Sequence, residues 1–260
     1  MDKLLTLMCL GAMFIGVIAC SRADDGDSVE TGEPCRQPAV NGRFYPARPD
    51  TLKRMVEDYL EQAGKVPVAG EVVAVIVPHA GYVFSAPVAA YGFNLLKNKD
   101  IDTVILMGSA HSVGFSGASV YGGDCYQTPL GRVPVDKELA WSLIGAHDDV
   151  RYIQRAHAEE HSLEVELPFL QVVLKEFKIV PILFGYEPGG AMEAVAANLA
   201  ASLAGRHAVI VISTDLSHYP SYDDAKRVDG ETLAAFVSMD AGRIKAHRAK
   251  YEGMNVKGLS

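Results

Sequence analysis

The chain has 260 residues, of which 49% are hydrophobic and 22% charged, and its formal net charge is −8. That balance suits one globular domain of the larger kind or two small ones. No basic cluster is present, which excludes nucleic acid as a partner. The acidic excess is uneven: the first 34 residues carry −4, leaving −4 for residues 35–260.

Residues 1–19 read as a signal peptide. Lys3 precedes an apolar run, Leu4–Ala19, that is short for a spanning helix and fits a signal-peptide core. Val17-Ile18-Ala19-Cys20 resembles the lipobox of bacterial lipoproteins. That resemblance implies an exported protein of the cell envelope, held to the membrane by lipid on Cys20. An uncleaved anchor and a plain secretory signal are the alternatives. Residues 20–34 are acidic, small and almost free of large apolar groups, and read as a solvated tether. Residues 35–260 then form a single domain. Of the four cysteines only Cys35 and Cys125 fall inside it; a disulfide between them and two free thiols both remain open.

Within the domain, Arg36–Pro46 (RQPAVNGRFYP) reads as an ordered loop. Thr51–Ala63 carries a helical stripe of Leu52, Met55, Val56, Tyr59 and Leu60. Val72–Val77 is an unbroken apolar run, predicting a central strand buried on both faces. It ends at Pro78-His79, and a helix follows over Ala86–Leu96. Thr103–Met107 is a second buried strand and ends at Gly108-Ser109-Ala110-His111. Ala118–Tyr121 is a weaker strand, and Tyr126–Val135 reads as a hairpin-like excursion. Asp136 caps a helix to about Ile144. Arg155–Phe177 is helical in character, with Pro168 near the first turn of a helix Phe169–Phe177. Strands Lys178–Phe184 and Ala208–Ser213 bracket an Ala-rich helix, Ala191–Leu203. Helices over Gly230–Ser238 and Ala241–Tyr251 complete the chain. Alternating strands and helices predict a three-layer α/β/α fold with a mainly parallel central sheet.

Three strands end in polar chemistry: His79, His111, and Asp215 with His218. In open α/β sheets ligands bind at the carboxyl ends of strands. Two histidines and a carboxylate there suit a borderline transition metal. His161 is placed as a general base facing the same edge. A competing signal is His157-Ala158-Glu159-Glu160-His161, which matches H-x-x-E-H. On one helix it would hold zinc between the histidines, with Glu160 as the base of a peptidase. No Walker A motif, Rossmann glycine pattern or serine-hydrolase elbow is present.

Several segments together resemble the Memo family, whose bacterial members are called AmmeMemoRadiSam system protein B. They are Pro38–Pro46, Pro78-His79-Ala80-Gly81-Tyr82, Gly108–His111, Glu160–Leu170 and Ser213–Tyr219. The resemblance runs from about Cys35 to Asp224. It implies a fold similar to the class III non-haem iron extradiol dioxygenases, and His79 and His111 as metal-site residues. It also implies Asp215 and His218 in the same cleft, His161 at the position of the dioxygenases' base, and an iron or copper ion. The expected activity is redox or O₂-dependent chemistry on a small molecule, with a non-catalytic peptide- or metal-binding module as the alternative. A functional link to a radical-SAM protein is implied by the resemblance alone. The family carries a third metal-site residue, a cysteine before glycine, in a late segment. Asn255-Val256-Lys257-Gly258 resembles that segment with Lys257 in the cysteine's place. A cationic lysine is a poor ligand, so weak metal binding is expected. Family members continue several dozen residues further, which implies a truncated chain or a divergent end.

Overall fold

The computed structural model describes residues 35–252. The signal peptide, Cys20, the tether and the Lys257 segment lie outside the described residues.

Helix α1 (Pro49–Ala63) starts on a proline, whose fixed φ suits a first turn, and buries Leu52, Val56 and Leu60. Strand β1 (Ala74–Val77) leads into α2 (Tyr82–Asn94), and β2 (Thr103–Ser109) follows. After β3 (Ala118–Val120) comes a hairpin, β4 (Cys125–Thr128) and β5 (Gly131–Pro134), which pairs as its own two-stranded sheet. Asp136 accepts from the Leu139 N–H at 3.1 Å and caps α3 (Lys137–Leu143), as its position predicted. Next come β6 (Val150–Arg151), α4 (Gln154–Ala158), α5 (Leu167–Val173), β7 (Lys178–Phe184) and α6 (Ala191–Ser202). Strand β8 (Ala208–Ser213) and helices α7 (Tyr222–Val237) and α8 (Ala241–Glu252) end the described chain.

Among the described residues the main sheet has six strands in the order β1-β8-β2-β7-β3-β6. Every pairing is parallel except β3 with β7. Helices α1, α2 and α5 pack together on one side, while α3 and α6 pack together beside β7, β3 and β6. The architecture is therefore the expected α/β/α with a mainly parallel sheet. Cys35 and Cys125 form a disulfide that ties the leading loop to the hairpin.

Three expectations are corrected. Among the described residues strand β1 is an edge strand, not a central one: it pairs there with β8 alone, and Val75 and Val77 are buried while Ile76 is 47% exposed. An apolar run reads the same at an edge, because only neighbouring chain decides whether its second face is covered. Helix α7 begins at Tyr222 rather than near Gly230 because Ser221 accepts from the Asp224 N–H and caps it. In Arg155–Phe177, Pro168 lies in the first turn of α5 as expected, but that helix ends at Val173 rather than Phe177, and the part before it is α4, a turn and a 3-10 turn at Glu164–Glu166. Glu160 captures the N–H groups of His161 and Ser162, offering the chain an alternative to the helical ladder.

Candidate metal centre

Strands β1, β8 and β2 are adjacent and parallel, with Val77 beside Ser213 and Ser213 beside Gly108. Their carboxyl ends therefore bring His79, His111, Asp215 and His218 to one edge. His161 arrives on the turn after α4. His79, His111 and His161 each offer a ring nitrogen within 4.8 Å of the other two, close enough for one ion to bridge them. Their ring centroids lie 5.1, 5.5 and 4.7 Å apart. Gly108 makes room for this approach: a Cβ there would meet Leu163 Cδ2 at 2.9 Å and Ser162 Oγ at 3.0 Å.

Glu160 organises two of the three rings. Its Oε1 accepts from the His161 N–H at 2.9 Å and the Ser162 N–H at 3.0 Å, and lies 2.9 Å from His111 Nδ1. The same oxygen is 3.2 Å from His161 Nδ1. Its Oε2 accepts from the backbone N–H groups of His111 at 2.5 Å and Ser112 at 3.2 Å. Burial alone would raise this carboxyl's pKa, but the His111 ring and the converging N–H groups outweigh it and bring it down to about 2. The hydrogen bond to Glu160 in turn raises His111.

His79 is nearly fully buried. Its backbone N–H donates to Asp215 Oδ1 at 2.7 Å, and its Nδ1 lies 2.8 Å from Ser213 Oγ. Burial brings its pKa down to about 4, against the pull of Asp215, so the ring is neutral at physiological pH. His161 is lowered chiefly by burial as well. The Nδ1 atoms of His79 and His111 are thus engaged by Ser213 and Glu160, and that of His161 lies 3.2 Å from Glu160 Oε1. Groups that hold one nitrogen of a ring from behind are the means by which metal-binding imidazoles are oriented. Asp215 Oδ2 lies 4.0 Å from His79 Nε2 and 3.5 Å from His218 Nε2, so the aspartate spans the buried ring and the more exposed one.

His157 stands apart, which corrects the zinc-peptidase reading. Helix α4 ends at Ala158, so no helix carries His157 and His161 together. Both ring nitrogens of His157 are engaged in the core, at 3.0 Å from Ser119 Oγ and 2.9 Å from Tyr126 Oη. Glu160, the base in that reading, is saturated with N–H donors. Burial pushes His157 down to about 3.

Sequence reasoning missed the groups behind the histidines. Besides Glu160, these include an inner ion pair of Arg36 and Glu164. Arg36 also donates to the carbonyls of His157, at 2.9 Å, and Glu160. Glu164 accepts from the backbone N–H groups of Ala39 and Val40 and from the Tyr45 hydroxyl. The pair ties the leading loop to the His161 turn. The one available signal was a run of acidic residues inside an otherwise apolar stretch, where a buried carboxylate needs partners. A cavity of about 910 Å³, lined by Lys53, Asp102, Thr103, Lys178 and Arg206 among others, opens at the amino ends of β2 and β7. It lies at the opposite end of these strands from the histidines.

The fold and site define an α/β protein with a histidine cluster at the carboxyl ends of adjacent parallel strands. A family model described as Memo-like protein matches residues 36–257. A MEMO1 family protein of Methanococcoides burtonii is 35% identical over 220 residues, covering 84% of this chain and 80% of the relative. One from Archaeoglobus fulgidus is 38% identical over 210 residues, covering 79% and 76%. One from Methanopyrus kandleri is 36% identical over 230 residues, covering 81% and 78%. The chain belongs to the Memo-like family.

Proposed function

We propose that His79, His111 and His161 together hold one iron or copper ion, and that the protein carries out redox or O₂-dependent chemistry on a small molecule. The observation that carries this reading is the convergence of three imidazoles, two of them hydrogen-bonded through Nδ1 from behind. The donor set fits: neutral imidazole suits borderline transition metals and disfavours Mg²⁺ and Ca²⁺. His79 remains neutral down to about pH 4 and is available as a donor. This proposal moves His161 from general base to third nitrogen donor. The acid–base role passes to His218, which Asp215 orients from 3.5 Å. A bound iron or copper ion would supply Lewis-acid and redox chemistry at this point. Three protein donors leave positions open for a substrate.

Export to the cell envelope with a lipid on Cys20 is part of the same proposal. The Cys35–Cys125 disulfide supports it, because such bonds persist in oxidising compartments. Among the described residues no helix is long and apolar enough to cross a membrane.

The test is metal analysis of the protein reconstituted anaerobically with Fe(II) or Cu, followed by O₂-uptake assays on catechol-like compounds. The expected result is one equivalent of metal, lost in His79→Ala, His111→Ala and His161→Ala, with substrate-dependent O₂ consumption. Retention of metal by all three variants would overturn the site. Metal binding without O₂ uptake on any substrate would overturn the reaction and leave a binding module.

A further inference from the structure

We propose that Ser213 and Glu166 are positioning residues that hold the His79 ring with its proton on Nδ1 and its Nε2 bare toward His111 and His161. The purpose of that arrangement rests on the metal reading above; the arrangement itself rests on hydrogen-bond accounting.

Ser213 Oγ has three close polar neighbours: the Ser162 carbonyl at 2.7 Å, Glu166 Oε1 at 2.9 Å and His79 Nδ1 at 2.8 Å. A hydroxyl has one proton to give and two lone pairs to accept with. The Ser162 carbonyl can only accept, so the hydroxyl proton goes there. The other two neighbours must then donate. His79 therefore carries its hydrogen on Nδ1, and Glu166 is a carboxylic acid donating to Ser213. Reversing the Ser213–His79 bond would strand the buried Ser162 carbonyl and place a hydrogen on Nε2, where it would block ligation.

The surroundings of Glu166 agree with a neutral acid. It is buried at 1% exposure, and among the described residues its carboxyl has one hydrogen-bond partner, Ser213. Glu160 and Glu164 differ, because each gathers backbone N–H groups and Glu164 also has Arg36. Burial pushes the Glu166 carboxyl well above the usual range; the Ser213 contact opposes this and the Asp215 charge adds to it. A carboxyl without cation or N–H donors in such a place keeps its proton.

The test reads ¹⁵N shifts of the histidine rings in the metal-free protein, with His157 as an internal control for the fold, and then titrates zinc(II) as a redox-silent probe. In the wild type, His79 is expected as the Nδ1–H tautomer. Ser213→Ala removes the acceptor, and the tautomer should become mixed while zinc affinity falls about 10–100-fold. Glu166→Gln supplies an amide N–H in place of the acid, so tautomer and affinity should both hold. An Nε2–H tautomer in the wild type would overturn the proposal, as would an unchanged tautomer in Ser213→Ala or a lost one in Glu166→Gln. If the tautomers follow this pattern and zinc binds nowhere, the positioning network stands and the metal reading falls by itself.

Discussion

Replacing Glu160 with glutamine changes one atom and should cost about 3 kcal/mol. The carboxylate takes four backbone N–H groups and the His111 ring, and its side chain is 1% exposed. Glutamine turns one acceptor oxygen into an NH₂ that faces donors. At least two buried or part-buried N–H groups then lose their partner, at ~1–3 kcal/mol each. The pKa gives an independent figure. A fall from 4.5 to about 2 is worth about 3 kcal/mol in favour of the charged form at neutral pH. Urea unfolding at pH 7 measures the loss. The sign with pH follows from linkage: the folded pKa is depressed, so the contribution is complete above pH 4.5 and disappears as pH falls through about 2. The penalty of Glu160→Gln should therefore shrink between those values. A loss below about 1 kcal/mol at pH 7, or a penalty unchanged down to pH 2, would refute the reasoning. The same variant should also loosen the metal site, since two rings lose their orienting group.

Further outcomes follow from the other buried groups. His157 and His79 are held near 3 and 4, against 6.5 in the unfolded chain, so the unfolded state takes up protons first as pH falls. Each contributes about 1.4 kcal/mol per unit and Glu166 opposes with the same slope above 4.5, so stability from pH 6.5 to 4.5 should fall by at least about 1.4 kcal/mol per unit; flat denaturation midpoints over that range would contradict this. Glu166→Gln should be neutral to stabilising at pH 7, because the folded carboxyl is held protonated while the unfolded one ionises above 4.5, and the gain should vanish below that pH in the same urea series. Cys35→Ser removes a crosslink between residues 90 apart. Chain entropy puts its loss at about 4–5 kcal/mol, readable as a lower urea midpoint that matches the wild type under reductant.

How far the sequence carried the reading can be judged residue by residue. Strands β2 and β8 were legible because their runs are central and wholly apolar, and because each ends abruptly in a turn bearing a histidine or an aspartate. The position of β1 was not, since an edge strand keeps an apolar sequence on the face its partner helix covers and nothing local marks the missing neighbour. His79, His111, Asp215 and His218 could be gathered to one edge from strand ends alone. His161 could be brought there, but not into the triad, because its place is set by the turn that Glu160 holds. The partners of Glu160, Ser213 and Glu166 are separated from them by up to 134 residues, and no periodicity encodes such contacts. The H-x-x-E-H spacing misled for the same reason. It presumes a helix, and here the glutamate lies past the helix end and takes the N–H groups of His161 and Ser162 that would have continued it.

One metal ion held among His79, His111 and His161, as proposed above, would be visible by its anomalous scattering. Anomalous diffraction at the iron or copper edge, from crystals grown with that metal, tests it most directly. The account predicts a single peak about 2.0–2.1 Å from the Nε2 atoms of all three rings. A peak that excludes His161, or no peak at this strand edge under saturating metal, would contradict it.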